Sequence, residues 1–262
     1  MGHAKKAAAE KKCKVSEPTT SSSAPIEAIL DQAATDFLKK GGSHWQGALV
    51  HIDGVRVFSA GGALSPKTCA DIIAWGEVKG FTDIRGDRPK KGIAYRRHGR
   101  LSIESVIGAS ALFKIVKPIL QTAGAEMVGG KEAVGLSANL RLYRYMKGER
   151  FESHVDESLR SVVPPGRSML TLLFYLSGSG RPVDHVLSHP SLRGKAILTE
   201  LKEPLHGGDT VFLESKSEEA FRVSPDVGLA MFHTQGEDCR LHYADEVRRG
   251  VKYVLRTDVI YA

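Results

Sequence analysis

Residues 145–156 read Tyr-Met-Lys-Gly-Glu-Arg-Phe-Glu-Ser-His-Val-Asp, and residues 242–253 read His-Tyr-Ala-Asp-Glu-Val-Arg-Arg-Gly-Val-Lys-Tyr. The first stretch follows the β-rich run Leu140–Tyr145, and the second leads into the run Val251–Tyr261. Around them lie Ser168–Leu176, Asp209–Leu213, Phe221–Val223 and Gly228–Phe232, short runs separated by Gly, Pro and Asp turns. Six such runs after about residue 136 predict a β-sandwich or barrel of jelly-roll type.

The chain upstream has a different texture. Ile26, Ile29, Leu30, Ala33 and Phe37 recur at helical spacing after Pro25, and Gly41-Gly42 ends that helix. Leu49–Phe58 alternates like a strand with a turn at Asp53-Gly54. Ser65-Pro66 reads as an N-cap and first helical position, with Ile72, Ile73 and Trp75 on the core face of the helix that follows. Ile103–Ala123 is a second long helical segment, and Trp45 and Trp75 are expected to pack. Helices first and strands later define an α+β class. A single domain, 25–262, would comprise helical and strand support over 25–135 and a jelly-roll core over 136–262. Residues 1–24, rich in Lys and Ala and then in Ser and Thr, bury too little to fold and are expected to form a disordered basic tail. Residues 177–206, with His185, His189 and His206, are too long for a hairpin turn and predict an insertion or a lid.

Charge and cysteine use exclude several classes. Of the net +7, residues 1–24 hold +3 and residues 85–100 hold +6, which leaves −2 for the rest. The bulk of the domain is therefore not a nucleic-acid-coating surface. The stretch 85–100, with three Gly, one Pro and no apolar period, reads as a basic loop. Cys13, Cys69 and Cys239 are odd in number and far apart, which argues against a disulfide scaffold or structural zinc and for a reducing, cytoplasmic or nuclear compartment. No signal-peptide pattern and no run of about eighteen apolar residues is read, so no membrane segment is expected.

His154 and Asp156 are two apart, so on an extended backbone they point to one face and can offer a nitrogen and an oxygen to one metal. His242, from a distant run, supplies a third donor. Two His and one carboxylate leave three adjacent positions open, the geometry used by non-haem Fe(II) for O₂ chemistry. Lys252 begins an apolar run ten residues later, and a Lys directed into a barrel is costly unless an anion meets it. A dicarboxylate bound to iron at one end would be that anion. His233 lies on an expected strand and reads as a satisfied core or rim histidine. His185 and His189 are four apart but lack the glutamate of a zincin motif.

Taken in order, these residues resemble a known family. His154-x-Asp156, Gly207-Gly208-Asp-Thr210-Val-Phe212, Pro225-x-x-Gly228 with Ala230-Met-Phe-His233, and His242 with Gly250-x-Lys252-Tyr253 are similar to the prolyl 4-hydroxylase type of Fe(II)/2-oxoglutarate dioxygenase. The resemblance spans about residues 140–261. It implies a double-stranded β-helix (jelly-roll) core with N-terminal helices packed against one sheet. It implies Fe(2+) held by His154, Asp156 and His242, the C5 carboxylate of 2-oxoglutarate on Lys252, and hydrogen bonds to that cosubstrate from Tyr145 and Thr171. It further implies O₂ as co-reactant, ascorbate as a candidate reductant, and hydroxylation of a protein or peptide residue with release of succinate and CO₂, a small-molecule substrate being the other partner class.

Two departures bear on substrate. Collagen-type members often carry an aromatic residue where Asp258 stands, so Arg256 and Asp258 either recognise substrate or form an internal pair that closes the barrel end. The basic stretch, through Arg96, Arg97 and Arg100, either covers an acidic, nucleic-acid or phosphorylated partner or is a solvated loop. Oxidative demethylation of nucleic acid or protein is the alternative chemistry, without a visible aromatic base-stacking cluster, and a non-catalytic metal-binding jelly roll is the alternative class.

Overall fold

The computed structural model describes residues 24–40, 47–85, 94–179 and 184–262. The basic tail apart from Ala24, the Gly41-Gly42 helix end, Trp45 and the 86–93 part of the basic stretch lie outside the described residues.

Three helices form one layer: α1 (Ile26–Lys39), α2 (Pro66–Lys79) and α3 (Val106–Ala123). Two of them start on serine caps. Ser65 Oγ accepts the Thr68 N–H at 3.1 Å, with Pro66 in the first turn, and Ser105 Oγ accepts the Gly108 N–H at 3.0 Å. The apolar faces of all three pack on an eleven-stranded antiparallel sheet. Its main path runs Leu49–Asp53, Val57–Ala60, Ala230–Thr234, Gly166–Tyr175, Lys252–Tyr261, Asn139–Tyr145, Arg97–Glu104 and Thr82–Arg85. A four-stranded antiparallel sheet, in the order Glu218–Val223, Thr210–Ser215, His242–Ala244 and Phe151–His154, packs on the other face.

The strand period of two decides what each face receives. Along Gly166–Tyr175, Leu170, Leu172 and Phe174 enter the helix-side core, while Thr171, Leu173 and Tyr175 turn to the small sheet. Along Lys252–Tyr261, Tyr253, Leu255, Val259 and Tyr261 face the helices, and Lys252, Val254 and Arg256 face the opposite way. Each fully buried large apolar side chain contributes about 1.5–3 kcal/mol. A one-residue slip would turn that whole row away from the helices, so the helix layer fixes which polar side chains meet between the sheets.

Three expectations are corrected. Residues 97–104 form a strand paired with both Thr82–Arg85 and Asn139–Tyr145, so the described C-terminal part of the basic stretch is sheet and not loop. Ile103 lies in that strand, which ends at Glu104, and the helix begins only after the Ser105 cap. No expectation is overturned by α3, which is apolar enough by length and composition to cross a membrane, with mean hydropathy 1.3, but buries Leu112, Ile115, Val116, Ile119 and Leu120 in the domain core. Finally, the described part of 177–206 is not a lid. It forms α4 (Asp184–Leu187) and α5 (Ile197–Leu201), buries Val186, Leu192 and Leu201 in the helix-side core, and packs on α2.

The turn at Pro225-x-x-Gly228 has a steric requirement. Gly228 has φ +79°, and a Cβ there would lie 2.0 Å from the Leu64 carbonyl oxygen. Gly228→Ala is therefore expected to destabilise the protein by at least about 2 kcal/mol, seen as a lowered denaturation midpoint. An unchanged midpoint would show that this backbone approach can relax.

Candidate active site

Register brings the two outer donors together. His154 and His242 sit directly opposite on neighbouring strands of the small sheet, with ring centroids 4.4 Å apart. Asp156 follows on the same chain end and is buried. One ligand atom from each of His154, Asp156 and His242 lies within 4.8 Å of the others, and His154 Nε2 is 3.8 Å from Asp156 Oδ1.

The imidazoles are wired for this use. His154 Nδ1 meets the Glu152 carbonyl at 2.8 Å, and His242 Nδ1 meets the Arg240 carbonyl at 2.9 Å. A carbonyl can only accept, so Nδ1 carries the proton in each ring and Nε2 keeps its lone pair. Burial, and then the His242 ring, lowers the His154 pKa to about 4. Burial, and then His233, does the same to His242. Both are neutral at pH 7, the form that binds a cation. Burial alone would raise the Asp156 carboxyl. The Arg256 guanidinium and three imidazoles outweigh it and hold Asp156 well below the usual carboxylate range.

The two oxygens of Asp156 have different surroundings. Oδ2 accepts from Thr171 Oγ1 at 2.6 Å and from Arg256 Nη2 at 2.9 Å. Oδ1 faces His154 and is the oxygen left for a cation. Arg256 also lies 3.5 Å from Asp258 Oδ1, Gln235 Nε2 donates to that same oxygen at 2.9 Å, and Arg141 closes on Asp258 Oδ2. Arg256 and Asp258 are thus an internal ion pair that grips a donor, and Thr171 hydrogen-bonds that donor too.

Lys252 lines the same cavity, as do Leu173 and Val254. It is paired in register with Tyr145 and is fully buried. Its Nζ sits 5.4 Å from the ring centroids of both Tyr145 and Tyr175 and donates to the Gly208 carbonyl. Among the described residues it makes no ion pair. Burial lowers its pKa to about 8, with Asp209 and Asp245 acting in the opposite sense from a distance.

Of the basic residues, Arg96 reaches the cavity rim: its guanidinium lies 5.8 Å from the Phe151 ring centroid, and Phe151 stacks on His154 at 3.7 Å. Arg97 turns to Glu149 Oε1 at 3.5 Å, and Arg100 donates to Ser102 Oγ. The three histidines of 177–206 do not converge on one another, since His189 faces Asp71 at 3.5 Å and His206 meets Arg249. Two residues of the site were not expected from sequence. His233 is buried against Asp156 Oδ2 at 3.5 Å with no hydrogen-bond partner on Nε2, so it is not a satisfied core histidine. Cys239 Sγ accepts the Asp156 N–H at 3.2 Å. The signal for His233 is its register partner, Thr171, which becomes informative only once the two strands are paired.

No protein-family model and no curated protein matches the sequence. Solved structures do. The viral collagen prolyl hydroxylase of Paramecium bursaria Chlorella virus-1, in its 2OG complex, matches with TM-score 0.51 and 16% identity over 79% of this chain and 97% of its own. A truncated form of that enzyme matches with TM-score 0.50 and 16% identity over 84% and 100%. A prolyl-4-hydroxylase of Pseudomonas putida matches with TM-score 0.49 and 13% identity over 89% and 99%. At such identities the likeness speaks to the fold, and the chain has the fold of a prolyl hydroxylase-like 2-oxoglutarate oxygenase.

Proposed function

We propose that the protein is an Fe(II)- and 2-oxoglutarate-dependent dioxygenase that hydroxylates a C–H bond of a protein or peptide residue, with succinate and CO₂ as co-products. In this reading 25–262 act as one domain, and the facing sheets are a double-stranded β-helix. The single observation that carries it is a buried ammonium without a counter-ion among the described residues, Lys252, sharing one cavity with three convergent donors. The donor set fits ferrous iron, since two neutral imidazoles and one carboxylate oxygen leave three positions free. A non-catalytic metal module would leave Lys252 unexplained.

His154, Asp156 and His242 would hold the metal, with Thr171 and Arg256 keeping Asp156 Oδ2 occupied so that Oδ1 alone binds. Lys252 would receive the C5 carboxylate, and Tyr145 would wall the cosubstrate site. Bound there, ferrous iron with 2-oxoglutarate and O₂ supplies the oxidising power to hydroxylate an unactivated C–H bond. The chain's own part is to orient the ligands, exclude water through the apolar cavity walls, and present the substrate at the Arg96–Phe151 rim. Ascorbate is an expectation of the resemblance alone. Succinate release scored against peptide, nucleotide and amino-acid pools tests the reading. A peptide-dependent signal supports it, a signal from methylated nucleic acid would redirect it to demethylation, and none from any pool would refute it.

A pH dependence follows. Below about pH 8 Lys252 is charged and meets the dicarboxylate without taking up a proton. Above that, binding must protonate it, so affinity is expected to fall by up to about tenfold per pH unit. Calorimetric titration of 2-oxoglutarate into the Mn(II)-loaded protein from pH 6.5 to 9.5, a range of about three units chosen around that pKa, checks this. A flat affinity would separate Lys252 from the cosubstrate.

A further inference from the structure

His233 is a third imidazole in the same buried space, wired like the other two. Its Nδ1 meets the Thr234 carbonyl at 3.1 Å, and its Nε2 has no hydrogen-bond partner. A buried ring nitrogen left bare is costly and calls for a reason. Its ring lies 4.5 Å from that of His242, and Cys239 Sγ lies 3.9 Å from His242 Nδ1. A ring nitrogen of each histidine and the Cys239 sulfur all fall within 4.8 Å of one another. Two donor sets therefore share His242. One is two nitrogens and a hard carboxylate oxygen, and the other is two nitrogens and a soft sulfur.

The geometry points to a second metal site, His233–Cys239–His242, that takes a thiophilic divalent cation of the zinc type and excludes a metal from the His154–Asp156–His242 set. Zinc favours nitrogen and sulfur in tetrahedral arrangement, and these three protein donors with one position left for solvent approach that set. Manganese and ferrous iron favour the set that contains oxygen. Exclusion follows from His242, because one neutral imidazole has one lone pair: the thiol faces Nδ1, so a cation held there moves the ring proton to Nε2 and takes Nε2 from the other set. Coordination releases the Cys239 thiol proton to solvent, and nothing is oxidised or reduced. The inference uses the proposed iron set only through the shared His242.

The test uses the full-length, metal-free protein with Zn(II), Mn(II) and Co(II) as probes. In the wild type, Zn(II) should displace Mn(II) one for one, and Co(II) should show a near-ultraviolet thiolate charge-transfer absorption. Cys239→Ser should remove that absorption and weaken Zn(II) by at least about a hundredfold, the upper end of what losing even a supporting group costs a metal site. Mn(II) affinity in the same variant should fall much less than Zn(II) affinity, and an unchanged denaturation midpoint reports that the fold is intact. His233→Gln should likewise weaken Zn(II) more than Mn(II). Zn(II) affinity unchanged in both variants, or Co(II) spectra without a sulfur band, would overturn the site. Asp156→Asn separates this from the iron reading. If it spares Mn(II), the His154–Asp156–His242 assignment fails while the soft site stands.

Discussion

Asp156→Ala is expected to reduce iron-dependent succinate formation by at least about a thousandfold, or about 4 kcal/mol of lost transition-state stabilisation. Two neutral imidazoles remain after the change, and neither brings the charge that holds a divalent cation in place. Removing the carboxylate also strips Arg256 of its 2.9 Å partner and leaves it with Asp258 at 3.5 Å. Breaking a buried pair from one side costs about 3–5 kcal/mol, so this variant should also be less stable. Asp156→Asn is the cleaner test. Its amide oxygen can still accept from Thr171 and Arg256, so the fold should survive while metal affinity collapses. Metal affinity by titration and stability by denaturation check the two parts separately. Retained iron-dependent turnover in the Asn variant would remove Asp156 from the donor set.

Lys252→Met is expected to move stability and cosubstrate binding in opposite directions. Burial lowers this amine from 10.5 to about 8, which at 1.36 kcal/mol per unit is a cost of about 3 kcal/mol for keeping it charged inside the fold. The sign is that of a depressed base. The cost is fully present below about pH 8 and disappears as the pH rises toward the unfolded value near 10.5. Methionine fills a similar volume without charge, so the metal-free variant should be more stable at pH 7 by up to about 3 kcal/mol. The same change should raise the KM for 2-oxoglutarate at least about a hundredfold, because a buried carboxylate would lose its charge partner. A variant that gains stability yet keeps its KM would assign Lys252 to packing alone.

The sequence reveals the site best where strand period and chemistry coincide. His154 and Asp156 are two apart and Lys252 opens an apolar run, whereas the placing of His242 directly opposite His154 needed the strand register. Residues 97–104 were hidden because Arg97, Arg100, Ser102 and Glu104 mask the buried His98 and Gly99, and a strand in mid-sheet need not be apolar when one face is half-solvated. Residues 184–201 were hidden because short helices carry too few turns to show a period, although Val186, Leu192 and Leu201 are the residues that pin them. The role of Arg256 could not be chosen from sequence, since an arginine facing a barrel reads alike whether it awaits a ligand or holds Asp156. His233 needed the strand pairing with Thr171 before its position meant anything.

The most direct test is anaerobic titration of 2-oxoglutarate into the Fe(II)-loaded protein, followed by the visible charge-transfer absorption that a keto acid gives when it chelates ferrous iron. The wild type should develop the absorption saturably, Asp156→Asn should not develop it at any concentration, and Lys252→Met should require at least about a hundredfold more 2-oxoglutarate. Its absence in the wild type, or its appearance in Lys252→Met at wild-type concentrations, would contradict the shared cavity of three donors and one ammonium.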